Sequence, residues 1–240
     1  MISQIKNIIF IFFTTLTTLK SDAIKYILIS GLVALGIFGS MIWITWTLSG
    51  AASGYIAALT PWDWAHESAV FGFITGLAVI IGFILIMKYI LLMILSPLLS
   101  YISENVEKSL DKEYKSEGFS VVSSTARSFR INLRNMVKEI FITIFLLIAG
   151  MIPIVNFIAL PLLLLVQAYF TGFGIMDFYL ERHHTFGQTI KEVYRNKYAA
   201  ITLGSLFILL FAIPVLGVII APYLTTVTAT KYFLKNNQLK

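Results

Sequence analysis

The chain has 240 residues, of which 58% are hydrophobic and only 12% charged, and its mean hydropathy is +0.86. A soluble domain carries about twice that charged fraction, so the composition predicts an all-α integral membrane protein. With no cysteine and three histidines, disulfides, thiolate metal sites, iron–sulfur clusters and cysteine nucleophiles are excluded, and no metal or cofactor is expected.

Residues 2–19 are read as an interfacial helix, because Ile2, Ile5, Ile9, Phe12, Leu16 and Leu19 recur at helical spacing. Thr14, Thr15, Thr17 and Thr18 interrupt this run and no small-residue cleavage pattern closes it, so it is not read as a signal peptide. Residues 24–48 form a first span, since about 20 apolar residues suffice to cross a bilayer. The connection at 49–69 holds Asp63, His66 and Glu67 but no Lys or Arg, and Trp62 and Trp64 suit a membrane–water interface. A second span covers 69–95, with Lys88 near its far end and expected to snorkel toward headgroups. Pro97 follows, and Leu98, Ile102, Val106 and Leu110 continue at i+4 spacing, so span and extension can form one long helix. Residues 96–139 are a cytoplasmic helical extension and loop, ending in a second amphipathic helix at about 124–139.

Two broken apolar segments complete the chain, at 140–176 and 199–230. Ile152-Pro153 and Ile213-Pro214 cut them, and a second proline follows eight residues later in each, at Pro161 and Pro222. The enclosed turns, at 154–156 and 215–217, end in Asn156 and Gly217, two residue types that tolerate positive φ. Each segment reads as a helical hairpin. The first legs rise only about 20 Å against an apolar core of about 30 Å, which favours partial penetration. All of this forms one membrane domain, 1–240.

Charge placement sets the topology. Lys6, Lys20 and Lys25 precede the first span, a dense basic group follows the second, and both hairpin tips are uncharged. By the positive-inside rule both termini and 96–139 are cytoplasmic. The net charge of +6 thus belongs to membrane topology, and no nucleic-acid partner is expected.

Candidate chemistry is sparse. A helix starting after Asn156 or Gly217 would offer unpaired N–H groups to an anion; alternatively, the prolines simply terminate helices in a bundle. Arg127, Arg130, Arg134 and Lys138 form one helical stripe that gathers anions at a pore mouth or meets anionic lipid headgroups. Glu104, Glu107 and Lys108 form a pore network or a solvated face, with Glu104 and Lys108 at the favourable i,i+4 order. His183-His184 reads as a solvated loop beside Asp177, Glu181 and Arg182. No Gly-rich phosphate loop, serine elbow or histidine–glutamate metal motif is present, so no enzymatic activity is expected.

The order of these parts carries a resemblance. An N-terminal amphipathic helix, a basic break and two spans lead to Ser-Pro-Leu-Leu-Ser-Tyr-Ile-Ser-Glu-Asn-Val-Glu at 96–107, then two Ile-Pro hairpins separated by a connection starting at Asp177. This resembles the CysZ sulfate permeases and the wider etoposide-induced membrane-protein family over nearly the whole chain. The resemblance implies a bacterial inner-membrane protein with two long transmembrane helices and two V-shaped, partly penetrating hairpins. It also implies homo-oligomers, and passage of sulfate or a similar oxyanion for cysteine synthesis. In that family a glycine and two arginines at the start of the first long helix bind sulfate. Here the stretch is Ser21-Asp22-Ala23-Ile24-Lys25-Tyr26, in which Lys25 matches the second arginine in charge, Ile24 replaces the first and the glycine is absent. The expected function is therefore an anion permease or channel with Lys25 as the substrate-binding residue. The alternative is a non-transporting protein that organises the bilayer or scaffolds partners.

Overall fold

A computed structural model describes residues 2–18, 24–40, 42–43, 69–111, 113–114, 121–150, 153–213 and 215–237. Among these no strand occurs, and eight helices carry the fold: α1 (Ile2–Thr17), α2 (Ile24–Ser40), α3 (Ala69–Leu110), α4 (Val121–Gly150), α5 (Pro153–Leu180), α6 (Phe186–Arg195), α7 (Lys197–Phe211) and α8 (Leu216–Asn237). Among the described residues two segments are long and apolar enough to cross a membrane, Ile86–Leu110 and Phe157–Leu180. The second of these is the returning leg of the first hairpin, longer than the short outgoing leg from which partial penetration is expected. The described part of the expected first span is α2, about 25 Å long by its rise. The connection at 49–68, with Asp63 and His66, lies outside the described residues.

Second span and extension are one helix. Pro97 sits inside α3, where its missing N–H leaves the Met93 carbonyl without its helical donor. Ser96 Oγ donates to that carbonyl at 2.8 Å, which satisfies it locally and lets the helix continue. The amphipathic stretch before the first hairpin and the hairpin's outgoing leg are likewise one helix, α4. It runs antiparallel to α3, as Ser124 meets Ser100 and Glu139 meets Lys88.

The hairpins are present, but their turns are displaced from the expected positions. Helix α5 already begins at Pro153, so 154–156, Asn156 included, are helical. Proline suits that place because a first-turn N–H has no helical partner to lose. In the second hairpin α7 ends at Phe211 and α8 begins at Leu216, and Pro214 itself lies outside the described residues. Among the described non-glycine residues the one with positive φ is Val215, at 62°, a strained conformation for a β-branched side chain. Gly217 serves a different need: a Cβ there would lie 1.8 Å from the Leu210 carbonyl oxygen, so glycine lets the two legs touch near the tip.

The hairpins dock on each other through small residues. A Cβ on Gly172 would lie 1.8 Å from the Ala200 carbonyl oxygen, and one on Gly204 would lie 1.8 Å from that of Ala168. Ala168 and Gly172 on α5 thus face Ala200 and Gly204 on α7, a small-xxx-small pair on both helices that brings the backbones together. Around this crossing lies the core, with Leu92, Leu95 and Leu99 of α3, Phe173 and Phe178 of α5, Leu203 and Phe207 of α7, and Leu224 and Tyr232 of α8 all buried. Helix α1 buries Ile8, Ile11, Phe12 and Thr15, while Ile2, Ile9 and Leu16 of the apolar stripe are exposed.

Candidate functional site

Lys25 opens onto a cavity of about 540 Å³ between α1, α2, α3 and α8. From α3 come Tyr101, Asn105 and Ser109, which share one face because residues four apart stack on a helix. Lys231 of α8 enters from the other side and donates from Nζ to Thr15 Oγ1 at 3.1 Å. Lys25 is exposed; Tyr26 beside it packs against Tyr101, with ring centroids 6.0 Å apart. Two ammonium groups from helices about two hundred positions apart therefore line a single cavity with hydroxyl and amide donors. Such a lining can hold an anion by charge and hydrogen bonds without any covalent step.

Beside that α3 face, Glu104 and Lys108 form an ion pair at 2.9 Å, with the carboxylate 3% and the ammonium 44% exposed. Glu107 takes a different direction. It is 1% exposed and binds the loop between the hairpins: Arg182 Nε and Nη2 donate to its Oε2 at 3.2 and 3.0 Å, and His183 Nε2 lies 2.8 Å from Oε1. The three expected network residues thus serve two separate clusters.

The second cluster extends through Asp177, Glu181 and Arg182, which are tied into a network instead of lying in a solvated loop. Arg182 also donates to the Phe178 carbonyl at 2.6 Å and to Ser103 Oγ at 2.8 Å. Glu181 accepts from Ser124 Oγ at 2.8 Å, and burial pushes its carboxyl above the ordinary 4.5. Arg127 donates to Asp177 Oδ1 at 3.3 Å, to Thr189 Oγ1 at 2.7 Å and to the His184 carbonyl at 2.6 Å. One sequence signal pointed here: Asp177 and Glu181, four apart, close an otherwise apolar helix, and a carboxylate in such a place calls for a partner. Among the described residues no three His, Asp or Glu side chains converge as a metal site would require.

The basic stripe of α4 divides. Arg127 is taken into the buried network, and Arg130 lies over the Phe186 ring at 4.4 Å. Arg134 and Lys138 instead border a groove with α5 and α6. Lys88 does not snorkel. It is 2% exposed and its Nζ sits 2.5 Å from Glu139 Oε1, while the Tyr89 hydroxyl donates to Glu139 Oε2 at 2.5 Å. With a carboxylate at this distance, neutralisation in place replaces the reach to headgroups.

Residues 11–222 match the model of the family described as sulfate transporter CysZ/etoposide-induced protein 2.4. No curated protein matches the chain.

Proposed function

We propose a function from one premise: the chain belongs to the sulfate transporter CysZ/etoposide-induced protein 2.4 family. In this reading it is an anion permease or channel of the bacterial inner membrane, a homo-oligomer that takes up sulfate for sulfur assimilation. The observation that supports it is the cavity shared by Lys25 and Lys231. A tetrahedral dianion needs positive charge and several donors without a competing carboxylate. Among the described residues no carboxylate forms an ion pair with Lys25, and Asn105, Ser109 and Tyr101 supply hydrogen-bonding groups. Lysines act as point charges, so the site would hold the anion loosely enough to release it. The Glu104–Lys108 pair beside it keeps the inner end of the route polar.

Energetics constrain the coupling. Moving a dianion into a cell at about −100 mV costs about 4.6 kcal/mol, from about 2.3 per charge. No nucleotide-binding motif is present to supply it. Uptake therefore follows a concentration gradient, metabolic consumption or co-transported protons.

Flux of radiolabelled sulfate into proteoliposomes tests the reading. Wild type should exceed empty vesicles; Lys25→Ala should lower the flux at least several-fold, with Lys25→Arg restoring it. Pro153→Ala, which disturbs the first hairpin, should also reduce flux. Wild-type flux equal to that of empty vesicles would sink the proposal. It would then favour the second reading, a protein that shapes the bilayer. The observation behind that alternative is the exposed apolar surface of the hairpin ends, where Phe157 is 85% and Leu216 60% exposed.

A further inference from the structure

The first hairpin changes polarity at one level. On α4, Phe141, Phe145 and Ile148 are exposed, and on α5 Phe157, Ile158 and Leu160 are exposed. These form an apolar collar around the tip. Immediately before it on α4 come Arg134 and Lys138, which border a groove of about 470 Å³ completed by Lys191 and Arg195 of α6 and by Tyr169 and Tyr194. Four cations thus surround one groove. Arg195 shares its charge with Glu192 at 3.4 Å; among the described residues no carboxylate pairs with Arg134, Lys138 or Lys191. Arg134 is oriented by Asn135 Oδ1 at 2.9 Å and by the Phe173 ring at 5.5 Å.

We propose that this groove binds the phosphate group of an anionic phospholipid, with the acyl chains lying on the collar of α4 and α5. The ligand chemistry is a phosphate monoanion esterified to an apolar tail. The cations match the phosphate. The tyrosines match the interface, where a ring with a polar tip is at home. The collar continues from the groove without a polar gap and so matches the tail. A free oxyanion would use the cations alone and leave that continuity unexplained. The groove lies on a different set of helices from the Lys25 cavity, so lipid binding here does not depend on the transport reading.

The test uses the full chain in a zwitterionic detergent, with thermal unfolding as the readout. Dioctanoyl phosphatidylglycerol, dioctanoyl phosphatidylcholine and inorganic phosphate are titrated separately. Phosphatidylglycerol should raise the Tm saturably, and the other two should not. Each interfacial cation contributes about a fivefold factor to anionic-lipid affinity, so Arg134→Gln with Lys138→Gln should weaken phosphatidylglycerol binding about 30-fold. Lys191→Gln with Arg195→Gln, on the exposed face of α6, should do the same and serves if the α4 pair fails to fold. Phosphatidylcholine matching phosphatidylglycerol, or both double variants keeping wild-type affinity, would overturn the proposal. A shift given equally by inorganic phosphate would also overturn it, in favour of a site for the free anion.

Discussion

Lys88 and Glu139 are 51 positions apart, and nothing near either residue announces the other. Removing one partner leaves the other charge buried, which costs about 3–5 kcal/mol. Glu139→Gln should therefore lower the unfolding midpoint in detergent sharply, whereas Lys88→Met combined with Glu139→Leu should lose much less. An unchanged midpoint in Glu139→Gln would show that the pair does not form. Glu181 makes a pH-dependent case. Burial raises its folded-state pKa above the ordinary 4.5, so the folded state holds this proton more tightly than the unfolded chain does. Its contribution to stability is fully present below the unfolded value and is lost as pH rises through the folded one. Tm should fall over that window in wild type and fall less in Glu181→Gln; parallel profiles would refute the assignment. Glu104–Lys108 was legible because i,i+4 neighbours must meet on a helix. Glu107 was not, because its partners Arg182 and His183 are 75 and 76 positions away.

At the scale of elements, helix periodicity and the prolines located most boundaries, with errors at the turns. The first turn was placed a few residues late because proline was read as the start of the break, when it opens the next helix. The docking of α5 on α7 was overlooked although its signal is present, as Ala168/Gly172 and Ala200/Gly204 have the spacing of close helix pairs. Each glycine there meets backbone, which cannot move aside as a side chain can. Gly172→Leu or Gly204→Leu should separate the two hairpins and destabilise the protein by about 2 kcal/mol or more. Ala substitutions should have smaller effects of the same sign. Protease resistance and Tm would measure both, and wild-type values in the Leu variants would argue against this crossing.

For the whole molecule, we propose from the positive-inside rule that both termini and the region before the first hairpin face the cytoplasm. The chain has no cysteine, so single introduced cysteines report sidedness without background. Glu113→Cys and Lys191→Cys should resist a membrane-impermeant maleimide in intact spheroplasts and react after permeabilisation, while Ser53→Cys should react in both. Labelling of residue 113 or 191 in intact spheroplasts would reverse the topology. The sequence alone determined the helical class, the membrane environment and the hairpin plan, because these follow from hydropathy and proline spacing, both local or additive along the chain; the order of its segments and the 96–107 stretch carried the family resemblance. Only the tertiary structure decided that Lys25 and Lys231 line one cavity, that Arg127 turns inward to Asp177 while Arg134 and Lys138 face a groove with α6, and that Lys88 is neutralised by Glu139. Those pairings depend on which helices pack together, and ion pairs in a low-dielectric interior select their partners by distance in space, which spacing along the chain does not encode.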